Sequence, residues 1–372
     1  MSRSVPTRID LDAAVFERDE RLLVRHGALE VRTFRYGSGV VALRVVNGAG
    51  EAVVLPYHGQ QIWDAHYHGR RLTMGSMFAE PRAEWDFRSN YGGFLVHCGA
   101  NTMGTPGPDD MHLPHGELPN APMEAAWLEL GEDADGAYVM VAGRHEELVA
   151  FTLGYRFEPR LQFREASGRI GLEVAVTNLR QQPMELMYLA HVNFRPVDGA
   201  RLVDATPDRP EQFRVRTDFT GSDAGRALLR SFAEAPARHR EIVAGRRLDP
   251  QLLAAMDAVA GTDGWAHALQ VLPDGAADFI SFRPAELDHA LRWMVRNGDE
   301  EALGIVLPAT AEADGRLAEI AKGNMKSLAA SETFRCTLAF GALTEGEATE
   351  MAARVAEARK LAWQHFASSA AN

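Results

Sequence analysis

The sequence has few cysteines and no long apolar run. Cys98 and Cys336 are its only cysteines; they have neither CxxC spacing nor the numbers for a disulfide framework, which is typical of a reducing compartment. No segment approaches the roughly 18 apolar residues that a membrane helix needs. Residues 1–23 carry charges throughout and lack the apolar centre of roughly 7–15 residues of a secretory signal. We therefore expect a cytoplasmic protein without a membrane partner.

Basic residues are also fewer than acidic residues. The 372 residues include 39 Lys and Arg against 51 Asp and Glu, which gives a formal net charge of −12. Phosphate binding depends on clustered Lys and Arg, so this balance disfavours a nucleic-acid partner. The arginine-rich stretches 209–216 and 238–247 also contain acidic residues and predict solvated loops. The composition is compatible with a monomer and with a homodimer.

Short β-strands dominate the pattern. Residues 28–72 alternate and turn like successive hairpins, and Asn47-Gly48 between two β-branched runs is a strong hairpin signal. Further strands are predicted at 137–142, 148–157, 161–166, 170–177, 185–191, 266–272, 278–283, 302–307 and 333–342. Many short strands with turn signals between them indicate a β-sandwich or barrel.

Helical pattern is scarce. It is predicted at 249–258 and at the C-terminal 345–367, where Thr344 is a plausible N-cap ahead of Glu345 and Glu347. No internal repeat or linker is visible. We expect one continuous β-rich domain over residues 1–372 with its core at about 27–343, and residues 199–250, rich in Arg, Asp, Pro and Gly, read as an insertion.

Two segments contain histidines that are candidates for catalytic residues. His115 lies in a Pro/Gly-bounded loop, LPHGELPNAPMEAAW, and His191 ends a mostly apolar strand, MYLAHVNFRP. A lone histidine is more often a satisfied side chain than a catalyst. His66 and His68 would share one face of a strand, which fits a solvated edge better than a metal site, because two ligands do not define one.

The strand order and both histidine segments together resemble the aldose 1-epimerase (galactose mutarotase-like) superfamily, and more closely its epimerase-like branch, from about residue 27 to 343. The resemblance implies a large antiparallel β-sandwich. In that family a His-Gly upstream of a Trp binds the sugar, which corresponds to His115 and Trp127 here. A histidine before an Asn-x-Phe element acts as the general acid at the ring oxygen, which corresponds to His191 and Asn193.

The resemblance implies further sugar contacts. The segment NYGGFLVHCGANTMG would line the same cleft, and Glu117 lies close to His115. Candidate contacts are Asn90, His97, Asn101 and Glu117, with Arg82 or Arg88 as the hydroxyl-binding arginine. Candidate aromatic platforms for the apolar face of the sugar are Trp85, Tyr91, Trp127 and Trp293.

One position departs from the family. Its members place a glutamate base just before a proline in a C-terminal strand, whereas GIVLPATAEADGR has Leu307 there. Glu300, Glu301 and Glu312 are near in sequence, but a slip of one residue already turns a strand side chain to the other face. The base is therefore assigned to no residue.

Three functions remain open. The leading hypothesis is anomer interconversion of a free sugar or sugar derivative, in which a base takes the anomeric hydroxyl proton while an acid protonates the ring oxygen. No cofactor is needed for it, and histidine, with an ordinary pKa of about 6.5, suits the acid. A metal-dependent keto-sugar or uronate isomerase would instead use His97, His112, His115 and Glu117 or His191. A sugar-binding protein that has lost catalysis would explain Leu307.

Overall fold

The computed structural model describes residues 5–218 and 222–369. The described residues form two compact units. The first unit comprises 5–73, 78–191 and 313–339, and the second unit comprises 74–77, 192–218, 222–312 and 340–369. Most regular structure is antiparallel strand, which confirms the predicted β class with few helices and a C-terminal helix. The prediction of a single domain over 1–372 stays a prediction.

The strands, in chain order, are β1 (Thr7–Asp10), β2 (Arg21–His26), β3 (Leu29–Arg35), β4 (Val41–Val46), β5 (Gly50–Val54), β6 (Ile62–Tyr67), β7 (Arg70–Arg71), β8 (Leu95–Ala100), β9 (Ala125–Asp133), β10 (Gly136–Val149), β11 (Leu153–Arg164), β12 (Arg169–Asn178), β13 (Met184–Val192), β14 (Arg201–Asp204), β15 (Phe213–Val215), β16 (Leu248–Met256), β17 (Ala266–Val271), β18 (Ala277–Phe282), β19 (His289–Arg296), β20 (Glu301–Ala309), β21 (Lys326–Leu328) and β22 (Thr333–Leu343). The α-helices are α1 (Asp223–Glu234), α2 (Arg316–Lys322) and α3 (Glu345–Ser369).

Two runs of hydrogen-bonded strands build the first unit. One has the order β1-β9-β10-β11-β12 and the other β2-β3-β4-β5-β6-β8-β13. Alternating side chains are buried along β11, as expected for a strand with one face on a core. The predicted segments 137–142, 148–157 and 161–166 prove to be two long strands, β10 and β11, paired from Tyr138↔Arg164 to Val149↔Leu153.

In the second unit the predicted helix at 249–258 is wrong. These residues belong to strand β16, which pairs antiparallel with β19 and with β15. Leucine and alanine favour helix intrinsically, but pairing on both sides overrides that weak preference. The register shifts between Leu248 and Leu252, and Pro250 lies in that irregularity, where a missing N–H is tolerated best. The unit's other strand run is β14-β17-β18.

The hairpin predicted at Asn47-Gly48 is confirmed between β4 and β5. The Asn47 side chain is buried, and its Oδ1 accepts hydrogen bonds from the backbone N–H groups of Ala49 at 3.2 Å and Gly50 at 3.1 Å. Its Nδ2 donates to the carbonyls of Arg164 and Ser167, both at 2.7 Å. One amide therefore closes the turn and attaches it to the loop after β11.

The C-terminal helix is confirmed as α3. Thr344 and Glu347 form a capping box, because the Thr344 hydroxyl donates to the Glu347 carboxylate at 2.9 Å and the Glu347 N–H faces that hydroxyl at 3.5 Å. Helices α1 and α2 were not predicted; α1, capped by Ser222, lies with β14 and β15 inside the segment expected to be an insertion. None of the described helices combines the length and apolar content needed to cross a bilayer.

We expect Asn47→Ala to lower the free energy of unfolding by about 2–3 kcal/mol, because two partly buried carbonyls and two turn amides lose their partner. Urea unfolding followed by circular dichroism measures this change. Asp135→Ala, in the exposed turn between β9 and β10, is the control and should change stability by less than about 0.5 kcal/mol. Equal effects of the two substitutions would contradict the prediction.

Candidate functional site

The first unit brings the two predicted histidines together. His191 is buried at the end of β13, and His115 lies in the loop between β8 and β9. Their ring centroids are 5.3 Å apart and the planes are nearly perpendicular, at 86°. An edge-to-face pair directs the N–H or C–H edge of one imidazole at the face of the other. Two groups that can exchange protons thus meet at one place.

Backbone contacts hold the His115 loop. His115 has a left-handed φ of 62°, its N–H donates to the Gly104 carbonyl at 2.8 Å, and its own carbonyl accepts from the Gly99 N–H at 3.0 Å. Gly116 has φ 82°, and a Cβ there would lie 2.0 Å from the Thr102 carbonyl oxygen. Glycine is required at this position because no other residue combines that conformation with so close an approach.

Gly99 joins the loop to β13, the strand that carries His191. Its carbonyl accepts hydrogen bonds from the N–H groups of Glu117 at 2.8 Å and Leu118 at 2.9 Å. A Cβ on Gly99 would lie 2.3 Å from the Met187 carbonyl oxygen in β13. The approach of loop to strand therefore depends on glycines at both 99 and 116, and it sets how far His115 lies from His191.

Two aromatic rings complete the cluster. Phe87 lies 4.6 Å from the His115 ring and 4.6 Å from Tyr91, and Tyr91 lies 5.8 Å from His191, all between ring centroids. Phe87 is in a 3-10 turn, Phe87–Asn90. The four rings form a contiguous apolar and imidazole surface. Tyr91 was among the predicted platforms, whereas Phe87 was not.

His115 is neutral at neutral pH. Burial, and then the neighbouring His191, Arg88 and His112, lower the pKa of His115 to about 3. Its Nδ1 is buried and has no hydrogen-bond partner among the described residues. A neutral imidazole has one donor and one acceptor nitrogen. His115 is therefore suited to binding a hydroxyl group rather than to carrying charge.

Glu117 follows His115 by two positions in the same loop. Its two oxygens accept long hydrogen bonds, 3.3 Å each, from the Asn101 N–H and the Thr102 hydroxyl. Burial raises the pKa of Glu117 to about 7 in spite of these bonds, which lower it. The residue is half-buried, so its carboxyl group would change charge near neutral pH while in reach of solvent.

A polar chain continues from Asn101. The Asn101 Nδ2 donates to the Glu185 carbonyl at 3.1 Å, and the Glu185 carboxylate pairs with Arg316. The Arg316 N–H donates to His112 Nε2 at 3.3 Å, and His112 Nδ1 faces the Leu113 carbonyl at 2.8 Å. Both nitrogens of His112 are thus engaged within the protein, which leaves neither free for a metal ion.

Asn90 anchors the segment that carries the arginine candidates. It is buried; its Oδ1 accepts from the Arg82 N–H at 2.7 Å, and its Nδ2 donates to Asn120 at 3.0 Å and lies 2.9 Å from His58 Nε2. Burial lowers the pKa of His58 to about 4. Arg82, whose guanidinium lies 5.3 Å from the Phe78 ring, and Arg88 are both exposed. Of the two, Arg88 acts electrostatically on His115.

His97 and Trp127 make their ring contacts with other residues than those of this cluster. His97 is fully buried, with Nδ1 2.8 Å from the Tyr188 hydroxyl and its ring 5.1 Å from Phe157. Trp127 lies in β9 beneath the Arg8 guanidinium at 4.2 Å and donates its indole N–H to Glu129 at 2.8 Å. The Trp127 indole N–H and His97 Nδ1 are engaged by these neighbours, whereas His97 Nε2 is buried without a hydrogen-bond partner among the described residues.

Three other predicted positions belong to the second unit. Asn193 is buried, and its carbonyl accepts from the Met74 N–H at 3.0 Å. Trp293 donates its indole N–H to the Gln251 side chain at 2.8 Å. Leu307 is 2% exposed in β20.

Sequence reasoning missed Phe87, Thr102, His58 and Asn120. The first two contact His115 and Glu117, and the other two hold Asn90. The segment WDFRSNYGG did carry one signal, since aromatic residues on both sides of a short polar turn are unusual in an exposed loop.

We expect Gly116→Ala to lower the free energy of unfolding by about 2–4 kcal/mol, because the added Cβ would overlap the carbonyls of Thr102 and Gly99. Gly136→Ala is a matched control, since Gly136 also has a positive φ, 99°, but has open space around its Cβ position. It should cost only the conformational strain, about 1–2 kcal/mol. Thermal and urea unfolding distinguish the two, and equal losses would show that the overlap is relieved at no cost.

The burial of His97 predicts a loss of stability in acid. Burial lowers its pKa to about 3 from an unfolded value near 6.5. Between these values the unfolded chain binds a proton that the native state does not, so the free energy of unfolding falls as pH falls, by up to about 1.4 kcal/mol per pH unit for one site.

We expect His97→Gln to reduce that pH dependence, measured by urea unfolding between about pH 7 and pH 5. His68→Asn, at an exposed histidine, should keep the wild-type slope. A wild-type slope in His97→Gln would mean that His97 is protonated in the native state at those pH values.

Several solved structures are similar to this chain. A candidate aldose 1-epimerase from Klebsiella pneumoniae has a TM-score of 0.76 at 16% identity, with 95% of this chain and 92% of that chain covered. A galactose mutarotase-like protein from Clostridium acetobutylicum has a TM-score of 0.57 at 13% identity, covering 85% and 98%. One from Lactobacillus casei has a TM-score of 0.51 at 12% identity, covering 81% and 99%. At such identities the likeness shows the fold.

The sandwich fold and the superfamily resemblance predicted from the sequence are thereby confirmed. No curated protein matches the sequence. A family described as a domain of unknown function, DUF4432, matches residues 37–342, which is most of the chain. The protein therefore belongs to the DUF4432 family and has the galactose mutarotase-like fold.

Proposed function

We propose that this protein binds a free sugar or sugar derivative and interconverts its anomers by opening and reclosing the ring. The observation that carries the proposal is the edge-to-face pair of His115 and His191 beside the rings of Phe87 and Tyr91. The fold supports it, because the Klebsiella pneumoniae relative is described as a candidate aldose 1-epimerase. A fold alone does not assign an activity, so the proposal depends on the site.

Ring opening requires two proton transfers. The bond between C1 and the ring oxygen breaks, its electron pair goes to that oxygen, and an acid supplies a proton there. A base removes the anomeric hydroxyl proton, and the electrons of that O–H bond form the C1 carbonyl. The aldehyde rotates about its C1–C2 bond and recloses by the reverse steps. In this proposal His191, at the end of β13, is the acid.

The surrounding groups would bind the sugar. Neutral His115, with Nδ1 unpartnered, offers a hydrogen bond to a hydroxyl group. Phe87 and Tyr91 offer an apolar face for the C–H side of the ring, and exposed Arg88 is placed to bind a further hydroxyl or a carboxylate.

The test is anomer exchange followed by NMR across a panel of D-glucose, D-galactose, L-fucose and D-galacturonate. We expect the wild-type protein to accelerate exchange of at least one sugar and His191→Ala to lose at least about 100-fold of that acceleration, because general acid catalysis contributes 10²–10⁴. His68→Asn, at an exposed histidine of the same unit, should retain wild-type activity. Activity that survives in His191→Ala would remove His191 from the mechanism.

The same experiment includes an EDTA-treated sample. Acceleration that persists in EDTA supports proton transfer by side chains alone. Acceleration lost with EDTA and restored by a divalent ion would favour the metal-dependent isomerase. Two ligands of that hypothesis, His97 and His112, already bind protein groups through at least one ring nitrogen.

A second candidate is a sugar-binding protein without turnover. The observation that favours it is the buried Leu307, which supplies no carboxylate at the position where the family places its base. Ligand-induced shifts in the protein spectrum without acceleration of any sugar would support this candidate, and turnover that depends on His191 would eliminate it.

A further inference from the structure

We propose that Glu117 is the general base of the ring-opening reaction and takes the proton of the anomeric hydroxyl group. The inference rests on the proposed function, since it names the group that completes it. It replaces the carboxylate that Leu307 cannot supply.

Glu117 and His115 share one rigid loop. The Glu117 N–H donates to the Gly99 carbonyl at 2.8 Å, and the His115 carbonyl accepts from the Gly99 N–H at 3.0 Å. Gly99 itself lies against β13, which carries His191. Gly99 therefore holds the backbone of both His115 and Glu117 and also lies against the strand of His191, which is the kind of backbone support that a catalytic group needs.

The Glu117 carboxyl group forms no ion pair with a basic side chain of the described residues. The Asn101 N–H and the Thr102 hydroxyl contact its oxygens at 3.3 Å, and the ionisable group that faces it from β11 is the buried Tyr155 phenol. A carboxylate with only weak neutral donors keeps its basicity.

Other candidates in the first unit are less basic or already engaged. Burial raises the pKa of Glu117 and lowers that of His115, so the carboxylate is the stronger base of the two. The Glu185 carboxylate pairs with Arg316. Asp110 accepts from the N–H groups of Gly107 at 2.9 Å and Leu317 at 3.0 Å.

Two side chains account for both proton transfers of the ring-opening step. Glu117 as carboxylate takes the anomeric hydroxyl proton, the C1 carbonyl forms, the bond from C1 to the ring oxygen breaks, and His191 donates its proton to that oxygen. Reclosure returns both protons. Because only ionised Glu117 accepts a proton, kcat/KM should fall as pH drops through about 7, with the protonated carboxyl inactive below that value.

The experiment compares kcat/KM against pH for wild type, Glu117→Gln and the control Glu185→Gln, using the fastest sugar of the panel named above. We expect Glu117→Gln to lose at least about 100-fold of the activity, and to lose the acidic limb of the profile. Glu185→Gln should keep that limb. Adding formate to Glu117→Ala should restore activity in proportion to its concentration, which a purely structural role of Glu117 would not produce.

The outcomes separate the two proposals. If the wild-type protein accelerates no sugar, the proposed function fails and the base assignment fails with it. If the wild-type protein is active and requires His191, but Glu117→Gln keeps the acidic limb and formate does not rescue Glu117→Ala, only the assignment of Glu117 is wrong. Should Glu117→Gln not fold, Glu117→Asp keeps a carboxylate and should retain the limb with a reduced rate.

Discussion

The close approach of Gly99 to its two neighbours is the constraint on which the site depends. On one side Gly99 exchanges hydrogen bonds with the backbone of His115, Glu117 and Leu118. On the other side its Cα faces the Met187 carbonyl in β13, with no room for a Cβ. A loop can bear reactive groups accurately only if its backbone is held, and here a strand holds it directly. The separation of His115 from His191 follows from this contact rather than from any bond between the two side chains.

Burial favours the uncharged form of both His115 and Glu117, but it leaves the two side chains with different chemical properties. It removes charge from both, since it disfavours imidazolium and carboxylate alike. For His115 the result is a neutral hydrogen-bonding group over the whole physiological range. For Glu117 the result is a carboxyl group that can gain or lose a proton near neutral pH. The same desolvation therefore favours neutral His115, with His191, Arg88 and His112 acting in the same direction, and lets Glu117 ionise near neutral pH.

More of the fold than of the candidate site could be predicted from the sequence. Local signals sufficed for the Asn47-Gly48 hairpin, for most strands and for α3, because turn chemistry, alternation and capping act over a few residues. Strand β16 was missed because Leu and Ala carry helix propensity, and only its neighbours β15 and β19 decide the conformation. Helix α1 has an amphipathic pattern that was overlooked because residues 199–250 were interpreted as an insertion. Helix α2 has only 7 residues, too few for a clear helical pattern.

In the site, the two histidine segments and the superfamily resemblance indicated His115 and His191, and the fold brings their ring centroids to 5.3 Å. Phe87 could not be ranked above Trp85 or Trp127 as a ring in that cluster, because which aromatic meets an imidazole depends on the 3-10 turn and on the strand register. Trp127 pairs in β9 opposite Asp10 and lies against Arg8. The sequence marks it as an aromatic after a His-Gly loop, but strand pairing determines what its ring contacts.

In the proposed mechanism the base does not come from a C-terminal strand. An acid and a base on distant strands would depend for their separation on the packing of many elements, whereas Glu117 and His191 in the proposed roles would depend on the contact between the loop and β13. Substitutions far from Gly99 would then alter stability without altering proton transfer, and substitutions at Gly99 or Gly116 would alter both. This is the pattern expected when reactive groups are fixed through backbone hydrogen bonds rather than through side-chain packing.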